Sequence, residues 1–106
     1  MPPVDPSQID RILHEPARLS IAAVLASRRE APFTELRDLI GLTDGNLSVH
    51  LRVLEEAGYV SISKAFVGKR PQTTARLSRK GREALSRHLD ALEAIVRHAR
   101  AGTKGR

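Results

Sequence analysis

Cysteine is absent from the 106 residues. That excludes disulfides, thiolate metal sites and a cysteine nucleophile, and it suits a reducing compartment. Tryptophan is also absent and aromatics make up 3% of the chain, so Leu, Ile, Val and Ala have to build the core. No apolar run nears the roughly 18 residues that a membrane-spanning helix needs. Met1 to Gln8 hold neither a basic start nor an apolar stretch, so no secretory signal and a cytoplasmic location are expected. Nothing resembles a nucleophile with its base, a carboxylate pair or a Gly-rich phosphate loop, so neither an enzyme nor a cofactor is expected. His88, Asp90 and His98 share the last helical stretch. His88 and His98 are about 15 Å apart along a helix axis, so one chain offers no metal site there.

What the chain does have is charge in one place. The net charge is +6, and Lys64, Lys69, Arg70, Arg76, Arg79, Lys80 and Arg82 lie in a stretch without one acidic residue. The other positions hold 11 basic and 12 acidic residues. A local cationic patch suits a polyanion, either nucleic acid or an anionic membrane surface. A solvated basic loop is the plainer alternative.

Read for period and punctuation, the chain divides as follows. Residues 1–4 are expected to be disordered. Asp5-Pro6 is a cap and first position for a short helix carrying Ile9, Ile12 and Leu13. Pro16 starts a second helix to about Ser27, with Leu19, Ala22, Ala23 and Ala26 at helical spacing. "RREAP" reads as a connector. Thr34 caps a short helix that turns Leu36, Leu39 and Ile40 inward and stops at Gly41. Thr43 caps the next, with Asp44 in its first turn and Leu47, Leu51 and Leu54 as one stripe. Tyr59 to Ser63 alternates as a strand, "AFVGKRPQ" reads as a loop, and Gln72 to Leu77 as the returning strand. Ser78 caps a long last helix to about Arg100, and 101–106 form a basic tail. Helix, turn, helix, hairpin, long helix is the order of a winged helix-turn-helix: mainly α with a small β-hairpin wing, the helix-turn-helix at about 34–57, the wing at about 59–77 and the long helix at about 78–100.

The helix after Thr43 begins with Gly45 and Asn46, which weaken helices. Gly45 costs of order 1 kcal/mol there. Opposite its leucines the helix presents Gly45, Ser48, Val49 and Arg52, flanked by Asn46 and Val53. Small and polar side chains let a helix enter a major groove, where Asn46, Ser48 and Arg52 can read base edges and Val49 a thymine methyl. Lys64, Lys69 and Arg70 on the hairpin suit a flanking minor groove or phosphates, and so do Thr73, Thr74 and Arg76 on the returning strand. Arg79 and Lys80 occupy the first turn of the last helix, where the macrodipole disfavours cations and an anionic partner would relieve the penalty.

From Phe33 to Leu85 the chain resembles the winged-helix domain of bacterial and archaeal transcriptional regulators of the ArsR and MarR groups. The likeness rests on "LTDGNLSVHL", "LEEAGYV", "FVGKRPQT" and "LSRKGREAL", with the upstream "EPARLSIAAVLA" similar to the family's first core helix. It implies a homodimer on a pseudo-palindromic double-stranded DNA operator. It carries recognition-helix contacts onto Thr43, Asp44, Gly45, Asn46, Ser48, Val49, His50 and Arg52, and wing contacts onto Lys69, Arg70 and Thr73. Val49 departs from the pattern, which often has a basic residue before the His. The resemblance implies a repressor and leaves open a small-molecule effector. A dimer also follows from the last helix itself. Its Leu85, Leu89, Leu92, Ile95 and Val96, with Ile9, Ile12 and Leu13, ask for a partner surface. Two other functions compete: a winged helix that binds a protein through its basic wing, and a nonspecific architectural DNA binder.

Overall fold

The computed structural model describes residues 3–102. Four α-helices and a three-stranded antiparallel sheet follow one turn of 3-10 helix at Pro6–Gln8: α1 (Pro16–Ala26), β1 (Ala31–Pro32), α2 (Phe33–Ile40), α3 (Asp44–Glu56), β2 (Val60–Val67), β3 (Arg70–Leu77) and α4 (Arg79–Ala101). The sheet order is β1-β3-β2. The expected tail falls on Ala101, which closes α4, on Gly102, and on residues outside those described. No described helix is long and apolar enough to cross a membrane.

The core is aliphatic, as the shortage of aromatics requires. Leu13, Ile21, Ala22, Leu25, Ala31, Leu36, Leu47, Leu51, Leu54, Val60, Ala75, Leu77, Ala84 and Leu85 form one buried cluster. The caps at Asp5, Thr43 and Ser78 fall where expected, each accepting a backbone N–H from the first turn. Gly41 and Gly58 end α2 and α3 with φ of 76° and 80°, values that a side chain would strain.

Five expectations are corrected. The N-terminal segment is one 3-10 turn, not a helix, because Asp10 turns the chain back by accepting the Leu13 N–H at 3.0 Å. In α1, Ile21 and Leu25 are buried beside Ala22 while Ala23 is exposed. Helix α2 starts at Phe33 after Pro32, with no side-chain cap, so Thr34 lies inside it, and Leu39 is 57% exposed. "RREAP" supplies a short strand, Ala31–Pro32, paired with Ala75 and Thr74. The loop read into "AFVGKRPQ" is paired strand: Ala65, Phe66 and Val67 oppose Gln72, Pro71 and Arg70 around a two-residue turn. Gly68 has φ 65° and no described non-glycine residue has a positive φ, the sign pattern of a type II′ turn with Gly first. Pro71 is tolerated because Phe66↔Pro71 lies next to the turn-flanking pair. In such hairpins that is a non-hydrogen-bonded site, where the missing N–H faces outward.

The residues expected at a dimer interface also divide. Leu13 and Leu85 are 0% and 4% exposed within one chain, so they belong to its own core and no second copy can reach them. Ile12 packs against that core, and Ile9 is half-buried. Leu89, Ile95 and Val96 are exposed and Leu92 half-exposed. The apolar stripe of α4 continues beyond the last element able to cover it. The radius of gyration is 16.3 Å, above the roughly 13 Å of a compact domain this long.

One polar network crosses this core. His88 is fully buried on α4, and its Nδ1 accepts the Asp10 N–H at 3.0 Å. Asp10 accepts in turn from the Tyr59 hydroxyl at 2.5 Å. Burial and this bond push the Tyr59 pKa up to about 12. The His14 ring stands edge-on to His88 at 5.6 Å, and His88 Nε2 is buried without a partner. A ring that accepts at Nδ1 is neutral, with its proton on Nε2. Burial, then His14, holds the His88 pKa below its ordinary 6.5, against a smaller opposing pull from Asp10. The unfolded chain therefore binds more protons near that pH. Stability is full above 6.5 and is lost as pH falls through it. Thermal melts between pH 7.5 and 5.5, values chosen to bracket the ordinary histidine pKa of about 6.5, should show a falling Tm, and His88→Gln should flatten the slope; equal slopes would contradict this assignment.

Candidate nucleic-acid interface

Helix α3 is oriented by its leucines. Leu47, Leu51 and Leu54 are buried, and the side opposite exposes Gly45, Asn46, Ser48, Val49 (58%) and Arg52. Thr43 closes the helix start by accepting the Asn46 N–H at 3.1 Å. Asp44 accepts from Arg37 Nη1 at 2.9 Å, while Arg37 Nε donates to Asp38 at 2.9 Å. Two carboxylates hold that guanidinium charged, and the pair spans the turn between α2 and α3. Asp44 thus faces solvent but already serves the turn.

His50 differs from its neighbours. It is half-buried, with Nδ1 3.3 Å from Arg18 Nη1 and 3.9 Å from Glu15 Oε1. Its ring turns toward α1, so of the eight recognition-helix candidates it is the one directed into the protein.

Beside α3 the hairpin forms a cleft of about 410 Å³ lined by Phe33, Ser48, Leu51, Arg52, Glu55, Ile62, Lys64 and Thr73. Strand alternation explains the selection. Val60, Ile62, Lys64 and Phe66 share one side of the ribbon with their partners Leu77, Ala75, Thr73 and Pro71. Arg70, Thr74 and Arg76 lie on the other side, and Lys69 sits in the turn. Phe33 and Glu55 were missed by sequence reasoning. The spacing 48, 52, 55 places Glu55 on the exposed helix face and was a usable signal; Phe33 had none, because only the fold brings α2 to the hairpin.

The cations then separate by whether the chain already uses them. Arg76 reaches Glu30 at 3.6 Å and Arg79 reaches Glu83 at 3.5 Å. Lys80 lies over the Tyr59 ring, 5.9 Å from its centroid. Those contacts offset the macrodipole penalty at the start of α4 without any partner. Arg82 donates to the carbonyls of Ala26 and Arg28 at the end of α1. Among the described residues Arg52, Lys64, Lys69 and Arg70 make no ion pair. Thr74 is tied into the sheet between Ser63 and Pro32.

The hairpin is bolted to α4 at its base. Ser78 donates its N–H to the Tyr59 carbonyl at 2.9 Å and its hydroxyl to the Gly58 carbonyl at 2.6 Å. The first turn of α4 lies so close that a Cβ on Gly81 would overlap the Tyr59 carbonyl oxygen and meet Leu77 Cδ1 at 2.8 Å. Gly81 is therefore a packing requirement, whereas a Cβ on Gly45 would meet nothing within 4 Å. No group of three potential ligands able to hold a metal occurs among the described residues.

A three-residue turn between α2 and α3, a helix with a small polar outer face, and a hairpin carrying unpaired cations together define a winged helix-turn-helix. The chain belongs to the winged-helix DNA-binding domain family, whose model matches residues 17–96. That family consists of transcription regulators, not enzymes. An uncharacterized protein of Methanocaldococcus jannaschii is 34% identical over 79 residues, 74% of this chain and 86% of the relative. A transcriptional regulator homologue from Pyrococcus horikoshii OT3 is 38% identical with a TM-score of 0.80, over 85% of this chain and 89% of that one. A MarR-family regulator from Streptomyces coelicolor, solved in complex with DNA, is 27% identical with a TM-score of 0.70, over 88% of this chain and 62% of that one. The fold is thus that of a MarR-like transcriptional regulator.

The two glycines should respond oppositely to alanine. Gly45→Ala should raise the unfolding free energy by up to about 1 kcal/mol. Gly81→Ala should lower it by about 1–3 kcal/mol through forced displacement of the Tyr59 backbone. Urea melts decide, and equal signs would refute the close-approach argument.

Proposed function

We propose that this protein is a sequence-specific double-stranded DNA-binding transcriptional repressor that works as a homodimer in the cytoplasm. The carrying observation is that Ser48 and Arg52 of α3 share a cleft with Lys64 and Thr73 of the hairpin, beside the further unpaired cations Lys69 and Arg70. In this reading α3 enters the major groove, with Gly45 allowing close backbone approach and Asn46, Ser48, Val49 and Arg52 meeting base edges. The wing neutralises flanking phosphates. Thr43 and Asp44 frame the helix start, whose free N–H groups favour phosphate, while the Asp44 carboxylate is already held by Arg37. Arg76, Arg79 and Lys80 contribute less, because each already has a partner within the chain. The uncovered stripe of Leu89, Leu92, Ile95 and Val96 supports pairing of two α4 helices. Each copy then presents one α3 to one half-site, and occupancy blocks polymerase.

Duplexes selected from a random pool, titrated at several salt concentrations, test the DNA reading. Lys69→Ala and Arg70→Ala should each weaken binding to all sequences and reduce the log–log salt slope by about 0.9, with Arg79→Ala having a smaller effect. Asn46→Ala should instead change the ranking of sequences. Wild-type affinity equal for selected and random duplexes would rule out sequence-specific regulation.

For assembly, the double substitution Leu89→Glu and Val96→Glu places charge on exposed positions. It should convert a dimer to a folded monomer in sedimentation experiments and weaken operator binding. An unchanged sedimentation coefficient would exclude α4 as the interface.

A further inference from the structure

The hairpin ends in two apolar side chains that the fold does not use. Phe66 is 75% and Val67 62% exposed, more than any other large hydrophobic residue described. The chain has only three aromatic residues. Phe33 packs against the core and Tyr59 bonds Asp10; Phe66 alone stands clear of the core.

Its placement follows from the pleat. Val60 is buried, Ile62 packs on the core, and Lys64 lines the cleft with Ser48 and Arg52. Phe66 is the next residue on that same side, about 7 Å further out along the strand. Its partner across the ribbon is Pro71, a second rigid apolar group. In a non-hydrogen-bonded pair the two side chains lie at their closest. The tip is therefore a small blunt hydrophobic wedge on the recognition-helix side, with unpaired Lys64, Lys69 and Arg70 around it.

Resting on the DNA-binding reading above, we propose that Phe66, backed by Pro71, seats in the minor groove next to the major-groove site and makes the wing selective for an easily unstacked base step. Phenylalanine has no donor or acceptor, so it cannot read the minor-groove base edges, which present no methyl group. It reads the cost of deformation, which is lowest at pyrimidine–purine steps and high in stiff A-tracts. Charge selects the duplex over a second copy of the chain. Residues 64 to 82 contain no acid, so two wing tips repel, while phosphates on both walls of a groove complement the ring of cations. Continuity with the α3 cleft favours the duplex over a membrane, on which one aromatic group gives little apolar area.

The experiment uses selected duplexes carrying either a TA step or an A-tract where the wing falls, with 2-aminopurine in the TA step. Phe66→Ala should leave Tm unchanged, because the ring is exposed. It should lose about tenfold in affinity for the TA duplex and little for the A-tract duplex. It should keep the wild-type salt slope, because no charge is removed, and should abolish the 2-aminopurine fluorescence rise seen on wild-type binding. Phe66→Leu should retain most of the effect, and Arg70→Ala should change the salt slope without changing the TA preference. Wild-type binding with Phe66→Ala indistinguishable on both duplexes overturns the wedge and leaves the DNA reading standing. A wild-type protein that binds no duplex overturns both. So does one that binds only vesicles containing anionic lipid and loses them on Phe66→Ala.

Discussion

Leu47, Leu51 and Leu54 are sealed into the core, and that seal sets the direction of every other side chain on α3. With three leucines of one stripe buried, the helix cannot rotate about its axis without exposing them, at about 1.5–3 kcal/mol for each side chain returned to water. Gly45, Asn46, Ser48, Val49 and Arg52 are held outward by that constraint. The same helix carries His50 toward Arg18 and Glu15, because His50 lies three residues after Leu47 and four before Leu54, at the border of the buried stripe.

The second constraint lies at the junction of α3, the hairpin and α4. Tyr59 is held there by Ser78 through its carbonyl, by Asp10 through its hydroxyl and by Lys80 over its ring. Gly81 lets α4 approach closely enough for the Ser78 bonds to form. Asp10 extends the junction to His88 on α4. The direction of the wing relative to the recognition helix therefore depends on a few backbone contacts and one buried polar chain, and the helix that leaves this junction is the one whose apolar stripe remains uncovered. The exposed face of α3, the hairpin and the apolar stripe of α4 thus meet at one junction.

Much of the local structure was legible. Thr43 and Ser78 were readable as caps because a hydroxyl at that position satisfies a free N–H within its own turn. The leucine period gave the buried face of α3 for the same reason, since helix geometry is set by neighbours three and four residues away. The wing was harder. Gly68 and Pro71 read as loop, yet a type II′ turn wants a glycine first and a non-hydrogen-bonded edge site accepts proline, so both fit paired strands. Leu39 looked inward by spacing, yet it is 57% exposed.

What the sequence determined by itself was the four α-helices, the hairpin and their order, and the small polar face beside basic charge, because caps, periodicity and local charge are short-range properties. Only the tertiary structure decided which cations remain available. Glu30, far from Arg76 in sequence, reaches it, and Tyr59 receives Lys80, whereas among the described residues no acid pairs with Lys69 or Arg70. It also decided that Leu13 and Leu85 belong inside while Leu89 and Val96 do not, and that Phe66 is left exposed at the wing tip. Burial and pairing depend on groups distant along the chain, and only folding brings those together.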